Sequence, residues 1–439
     1  MKLLKLDMTQ GKIKEENFPD NFTWGGRGLV DYLLTENMNP NSHALSLDSV
    51  FVLACGLLAG TSAPNSGRIS VGGKSPLTGG IKEANSGGTA GDIMGRLGVI
   101  GVMAQGKSEK HQLLIVNSKG ANLENASFIT GMKNYEACNR LREKYGEKIS
   151  IVITGPAGEK GMANSTVAVS DVSGRPARHA ARGGIGAVMG AKGLKAIILD
   201  GSGAKSRCPQ HQTAFKEAVK NAVKIIMSMQ VGKDLRAYST ATWINSCDAA
   251  NEMPTLNHAF GSWNKTNAID GSALAKVVTE RGGQLAHACM PGCVVRCSNN
   301  YHGPTGEFIT SGLEYETLAM LGSNLGIDDL DIIAKLDRMC DELGIDTIET
   351  GNTLGVLNSV GRFDFGDGTK ALEYIREIEK ATPTGMIIGS GTETACKVLG
   401  IDRVPAIRGL GIPAHMARSR KGWDMTYATS PQSADHTCG

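Results

Sequence analysis

The feature that most constrains this chain is a change of period near residue 205. Before it, short apolar segments are punctuated by turn residues. After it, apolar residues recur at helical spacing. Met1–Met8 and Ile13–Phe18 flank Thr9-Gln10-Gly11, and Gln112–Val116 and Ala121–Ala126 flank Asn117-Ser118-Lys119-Gly120, which predicts two hairpins. Ile149–Thr154, Thr166–Ser170 and Lys195–Leu199 read as further strands. One helix interrupts them, where Tyr135, Cys138, Leu141 and Tyr145 share a face. Beyond the change, Phe215, Val219, Ala222, Ile226 and Met229 predict an amphipathic helix, and Leu330, Ile333, Leu336, Met339 and Leu343 another. Strand signals become rare there, and no internal repeat is evident. The expectation is an α+β protein: a β-rich domain over 1–204, a mostly helical domain over 205–405, and the start of a further helical domain over 406–439. The first break falls at Asp200-Gly201-Ser202-Gly203.

Charge excludes some partners. A net charge of +3 is too weak to argue for nucleic acid or a membrane surface. No apolar run approaches the ~20 residues of a spanning helix, and Met1–Lys14 carries charges throughout, unlike a signal peptide. A soluble cytoplasmic protein is expected, so its ten cysteines read as free thiols or metal ligands rather than disulfides.

Three of those cysteines are bunched, in Cys289-Met290-Pro291-Gly292-Cys293-Val294-Val295-Arg296-Cys297. Thiolates are soft ligands that suit iron–sulfur clusters or zinc. Pro291 and Gly292 favour a turn that lets neighbouring sulfurs converge. The spacing differs from the C-x3-C-x2-C of radical enzymes that use S-adenosylmethionine. A zinc site would need a fourth ligand, which His287 or His302 could supply. Three buried thiols without function are the bland alternative.

The 57 glycines cluster. Ser66-Gly67-Arg68 leads into Gly72-Gly73-Lys74-Ser75-Pro76-Leu77-Thr78-Gly79-Gly80, then Asn85-Ser86-Gly87-Gly88-Thr89-Ala90-Gly91. Without side chains, peptide N–H groups can approach phosphate oxygens or a polar ring system. A phosphate-binding P-loop is excluded, because Arg68 stands where its first glycine belongs. A second such segment runs from Arg178 through Arg182-Gly183-Gly184 to Gly190. Two arginine-plus-glycine sites in one domain suggest a ligand with two phosphates, or two phosphorylated ligands. Turns in a β-rich domain explain the glycines equally well.

Taken together, these segments resemble the tungsten-containing aldehyde:ferredoxin oxidoreductases, from near residue 1 to the last. The resemblance implies that Lys74–Gly80 and the following Asn/Gly loop build part of a site for two molybdopterin-type molecules. Arg68, Asn85 and Gly87 match pterin-contact positions, and Arg182, Gly183 and Gly184 match a second contact segment. Gly155-Pro156-Ala157-Gly158-Glu159 also looks like a family loop. Cys289, Cys293 and Cys297 match the segment that holds a 4Fe-4S cluster, although the commoner family spacing is C-x2-C-x3-C. Asp341-Glu342-Leu343-Gly344-Ile345-Asp346 resembles the first of two pterin-binding Asp-x-x-Gly-x-Asp/Cys motifs, which makes Asp341 and Asp346 cofactor contacts. Locally, Gly344 can stop one helix in a left-handed conformation, and Asp346 can cap the next with Glu349 three residues on. Leu313-Glu314-Tyr315-Glu316-Thr317 resembles a segment with an acid close to the metal; Glu314 is preferred over Glu316. Asp435-His436 resembles a segment whose histidine lies near the metal, so His436 is the candidate proton carrier.

The implied protein is an oxidoreductase with tungsten (or molybdenum) on two pterins, a Mg2+ bridging the pterin phosphates, and a 4Fe-4S cluster. It would interconvert small aldehydes and carboxylic acids, and exchange electrons with ferredoxin or an iron–sulfur partner subunit. Relatives extend further, carrying a second pterin motif and a fourth cluster cysteine. A fragment, a disrupted reading frame and a split enzyme completed by a separate C-terminal chain therefore all stand as readings of this sequence. The alternatives in function are a non-catalytic or partial pterin or iron–sulfur subunit of a redox complex, and a zinc-stabilised protein with glycine-rich loops.

Overall fold

The computed structural model describes residues 1–19 and 22–438. The chain divides into two compact units. One comprises Met1–Ser228, Ala288–Val294 and Glu342–Gly344; the other comprises Met229–His287, Val295–Asp341 and Ile345–Gly439. The first is β-rich and the second mostly helical, so the α+β expectation holds.

The first unit carries two six-stranded sheets. In one, β1 (Lys2–Asp7), β2 (Lys12–Asn17), β3 (Phe51–Cys55), β4 (Ile69–Lys74), β5 (Ile81–Ser86) and β6 (Val99–Gln105) lie in the order β2-β1-β6-β3-β4-β5. In the other, β7 (Gln112–Asn117), β8 (Gly120–Asn125), β9 (Ser150–Thr154), β10 (Val167–Val169), β11 (Arg178–Ala180) and β12 (Leu194–Leu199) lie in the order β8-β7-β12-β9-β10-β11. Both expected hairpins form, β1–β2 and β7–β8. The central strands β3, β9 and β12 are buried along their whole length, as strands covered on both faces must be.

These two sheets are one topology used twice, a repeat that the sequence reading misses. β1 runs parallel to β6 and β7 parallel to β12, and the other neighbours in each sheet are antiparallel. Helices occur at matching points: Arg27–Asn37 and Asn134–Tyr145 after the hairpins, Ala90–Arg96 and Ile185–Ala191 before the last strands. The trace in sequence is short. Gly88, Gly91, Met94, Gly95 and Gly98 recur 95 positions later as Gly183, Gly186, Met189, Gly190 and Gly193. Each set serves close approach. A Cβ on Gly91 would lie 2.3 Å from the Gly67 carbonyl oxygen, and one on Gly186 2.3 Å from that of Thr166.

Other expectations need correction. The helix at Asn134–Tyr145 is not alone among the strands: Arg27–Asn37 buries Leu29, Val30, Leu33 and Leu34. Gly72 and Gly73 are not a loop but part of β4. A Cβ on Gly72 would lie 2.3 Å from Cγ1 of Val30, so the glycine is there to let a helix lie close on the sheet. The helix Gln212–Ser228 forms as predicted, but none of its residues is fully buried.

In the second unit, Leu330–Leu343 forms the predicted helix. Helix Thr347–Ser359 is buried from Ile348 to Asn358, polar residues included. Strands are not absent here. β13 (Gln284–His287), β14 (Ser298–His302) and β15 (Phe308–Ser311) form a sheet, and β16 (Ala406–Ile407) pairs with β17 (Leu410–Gly411). The three-cysteine segment is the β13–β14 connection. Among the described residues no helix is long and apolar enough to cross a membrane.

Candidate active site

In the first unit, the glycine-rich segments and the start of the cysteine loop converge. The Arg68 guanidinium donates from Nε to the Asn85 side-chain oxygen. Three residues on, the Gly88 N–H donates to the Cys289 carbonyl at 2.9 Å. A Cβ on Gly87 would lie 3.2 Å from the Cys289 sulfur. Asn65, left-handed at φ 56°, closes the other side: its N–H donates to the Gly292 carbonyl at 3.1 Å, and its Oδ1 accepts from the Val294 N–H at 3.0 Å. A hydrogen bond with Cys293, and then burial, hold the Cys289 thiol well above the usual thiol range, while the charges of Arg178 and Arg68 pull the other way.

The second glycine segment is seated by the Lys74–Gly80 loop. Ser75 Oγ donates to the Gly183 carbonyl at 2.7 Å, and a Cβ on Gly184 would meet the Ala163 carbonyl oxygen at 2.1 Å and Pro76 Cγ at 2.8 Å. Gly183 and Gly184 are both left-handed, at φ 90° and 74°. Arg182 and Arg178 are buried beside them in sequence. Asn164 and Ser165, on the strand-free segment packed against Gly184 and Gly186, are fully buried, and Asn164 Oδ1 and Nδ2 and Ser165 Oγ find no hydrogen-bond partner in the protein. Ser86 Oγ, between Asn85 and Gly87, is in the same position. Buried polar atoms without partners cost about 1–3 kcal/mol each. Together with the buried guanidinium groups, they fit a polar, phosphate-bearing ligand. Asn164 and Ser165 lie outside any spacing pattern, so sequence reasoning passes over them; Ser86 lies inside the glycine-rich segment but is not singled out by it.

The Asp-x-x-Gly-x-Asp segment is split between the units at its ends. Gly344 is left-handed at φ 69° and ends helix Leu330–Leu343, with the Ile345 N–H on the Cys340 carbonyl at 3.0 Å. The Gly344 carbonyl accepts from the Thr166 N–H at 2.8 Å. Asp341 and Asp346 are buried, and Asp346 caps the next helix through the Ile348 N–H at 2.9 Å. Glu349 stands three residues further on. Its buried carboxylate accepts from Thr392 N–H and O–H, at 3.0 and 2.6 Å, and from the Gly411 N–H.

The second unit gathers acids and histidines. Glu314 caps the start of helix Tyr315–Leu321 by position, and its carboxylate accepts from the Thr240 hydroxyl at 2.6 Å. Glu316, one half-turn on, is the acid seen beside His436: Oε1 lies 3.3 Å from Nε2 of His436 and 3.5 Å from Nε2 of His415. His415 in turn places Nδ1 2.6 Å from Oε1 of the fully buried Glu252. Ligand atoms of Glu316, His415 and His436 all lie within 4.8 Å of one another, as do those of Cys247, Glu252 and His415. Burial opposes charge on His415, but its hydrogen bonds to Cys247 and Glu252 and the nearby Glu316 carboxylate outweigh it and raise its pKa to about 9. His415 and Glu252 stand apart in sequence with no motif around them.

Comparison with known proteins identifies the family. The family model for the N-terminal domain of aldehyde ferredoxin oxidoreductase matches residues 3–201, and that for domains 2 and 3 matches residues 217–439. The tungsten-containing aldehyde ferredoxin oxidoreductases of Pyrococcus furiosus and Pyrococcus horikoshii are each 33% identical, over 99% of this chain and 73% of theirs. The aliphatic sulfonate oxidoreductase, WOR-like subunit, of Pyrococcus furiosus is 25% identical over 99% of this chain and 74% of its own length. Among solved structures, the active-site complex BamBC of benzoyl coenzyme A reductase in complex with 1,5-dienoyl-CoA superposes with a TM-score of 0.80, covering 99% of this chain and 69% of that one; at 19% identity this likeness speaks for the fold alone. On both family models and on the identity to its relatives, the chain belongs to the aldehyde ferredoxin oxidoreductase family of oxidoreductases.

Proposed function

We propose that the chain oxidises a small aldehyde to its carboxylate, or runs the reverse reduction, with a tungsten (or molybdenum) bis-pterin and a 4Fe-4S cluster. The observation that carries this reading is the repeated glycine loop. Two equivalent glycine pairs in a duplicated fold each lie by an arginine, and one of them touches Cys289. Arg68, Asn85 and Gly87 would hold one pterin, and Arg182, Gly183 and Gly184 the other, with Asn164, Ser165 and Ser86 supplying polar atoms that lack partners in the protein. Asp341 and Asp346 would accept hydrogen bonds from pterin amino groups, and a Mg2+ would supply positive charge to neutralise the phosphates. Cys289, Cys293 and Cys297 would ligate the cluster.

The bound metal and pterin supply a two-electron acceptor. The protein's share is binding, orientation and protons. Aldehyde plus water gives carboxylate, two electrons and three protons, the third from ionisation of the acid product. Glu316 and His436 would take protons from the reacting water and substrate. What supports Glu316 in this role over Glu314, the acid the family segment favours, is its carboxylate 3.3 Å from His436. Electrons would leave singly through the cluster to ferredoxin or an iron–sulfur partner subunit in an anaerobic cytoplasm.

The test is metal and pterin analysis of protein purified without oxygen from its native host. About one tungsten or molybdenum, two pterins and four iron per chain are expected of this cofactor set, with aldehyde-dependent reduction of ferredoxin. Zinc without pterin would overturn the reading. Iron alone would point to a partial subunit of a split complex.

A further inference from the structure

The acid–base pair Glu316 and His436 does not stand alone. We propose that Glu252 and His415 are positioning residues for it: Glu252 fixes the tautomer and orientation of His415, whose Nε2 faces Glu316 and holds that carboxylate toward His436. This inference rests on the acid–base role given to Glu316 and His436 above.

The argument starts from burial. The Glu252 side chain has no exposed surface, yet both its oxygens are claimed by cationic donors, His415 Nδ1 at 2.6 Å and Arg420 Nε at 2.7 Å. A carboxylate buried this deeply is tolerated only when paired and hydrogen-bonded. Burial raises the Glu252 carboxyl, but the two donors and their charges more than offset it and leave the group below its ordinary range. Ionised Glu252 in turn favours charge on the imidazole it touches. The result is a series of acids and imidazoles in contact: Glu252, His415, Glu316, His436.

The backbone fixes this series in place. Consecutive residues of one helix grip Ala414 at both its N–H and its carbonyl. The Tyr315 hydroxyl donates to the Ala414 carbonyl at 2.6 Å, and Glu316 Oε2 accepts from the Ala414 N–H at 2.7 Å. The Met416 N–H donates to the Glu252 carbonyl at 3.0 Å. His415 is thus held from either side, and its ring packs on Tyr315, Trp423 and His436 at centroid separations of 4.9, 4.1 and 5.1 Å. The titratable and charged groups around it are the Cys247 thiol, Glu252, the Tyr315 hydroxyl, Glu316, Arg420 and His436. An orienting carboxylate behind an imidazole is a recurrent device for fixing tautomer and charge.

Two measurements test this on the full-length holoenzyme. The first needs no turnover: histidine side-chain NMR titration of the wild type, Glu252→Gln, Glu252→Asp and Glu316→Gln. Loss of an adjacent opposite charge should lower the His415 pKa by about 1–3 units in Glu252→Gln, with Glu252→Asp restoring most of it, and Glu316→Gln should shift both His415 and His436. The second is the pH profile of aldehyde oxidation. In Glu252→Gln the acid limb of kcat should move up by about one pH unit or more, with KM unchanged. A His415 titration indifferent to Glu252→Gln overturns the proposal, as does a pH profile that stays in place while kcat falls uniformly. So does a His415 signal that changes on chelator treatment, since a divalent cation rather than a proton would then sit between Glu316 and the two imidazoles. If the wild type oxidises no aldehyde, the reading of function fails and the titration alone decides the inference.

Discussion

Gly95 and Gly190 hold the same place in two copies of one topology. Each brings a short helix against the backbone, where a Cβ would lie 2.2 Å from the carbonyl oxygen of Ala59 or of Gly158. Neither obstacle is a side chain that can swing away. Gly95→Ala and Gly190→Ala should therefore each destabilise the protein by about 2–3 kcal/mol. Gly98, left-handed at φ 71° with nothing within 4 Å of a Cβ, is the control. Asparagine adopts that backbone, so Gly98→Asn should cost less than about 1 kcal/mol. Urea unfolding of the three variants checks the ranking, and equal losses would mean that close approach is not what the repeated glycines provide.

Gly72 differs in that its obstacle is a side chain. Val30 Cγ1 would lie 2.3 Å from an added Cβ, with Leu34 Cδ1 at 3.3 Å. Gly72→Ala should cost about 1–3 kcal/mol through overpacking. Val30→Ala in the same chain should recover much of that, because it removes the atom struck. A double-mutant cycle measures the coupling. Additive losses would place the strain on the Lys82 carbonyl oxygen, 3.0 Å from the same Cβ, instead.

Lys195 and Glu159 form a buried ion pair in the first unit, with Lys195 also donating to the Thr154 carbonyl at 2.7 Å. Burial pulls the lysine pKa down, and Glu159 opposes that pull. Lys195→Met leaves the carboxylate buried without its partner and should cost about 3–5 kcal/mol. Adding Glu159→Gln removes the stranded charge, so the double variant should be the more stable of the two. Chemical denaturation at neutral pH gives both numbers, and a double variant weaker than the single one would show that the pair is not compensated in this way.

How much of this was legible in the sequence depended on whether a signal was local. The hairpins Lys2–Asn17 and Gln112–Asn125 and the helix Leu330–Leu343 were readable because period and turn residues lie within a few positions of each other. Strands β3, β4 and β6 were not, since continuous apolar or glycine-containing runs carry no alternation. The fold duplication left only the Gly-x-x-Gly-x-x-Met-Gly-x-x-Gly string at 88–98 and 183–193. It becomes readable once the close approaches of Gly91 and Gly186 show what the spacing is for. At the candidate site, Arg68, Asn85 and Gly87 stood in a recognisable segment. The contact of Glu316 with His436, more than a hundred residues away, was not readable from sequence, because it depends on tertiary packing. Glu252 and His415 are separated by 163 positions and meet only through tertiary packing.

The His415–Glu252 contact also sets a pH dependence of stability. The folded-state pKa of His415 is about 9, above its ordinary 6.5. A histidine whose pKa is raised on folding contributes stability while both states are protonated, and loses that contribution as the folded form deprotonates. The contribution is thus fully present below about pH 6.5 and disappears as pH rises through about 9, with a size of roughly 3 kcal/mol. The comparison to make is denaturant unfolding at pH 6 and pH 9.5 for the wild type and His415→Gln. The stability gap between the two proteins should be wide at the lower pH and narrow at the higher one. A gap that stays constant would mean that His415 is already neutral at pH 6, and that Glu252 is balanced by Arg420 alone.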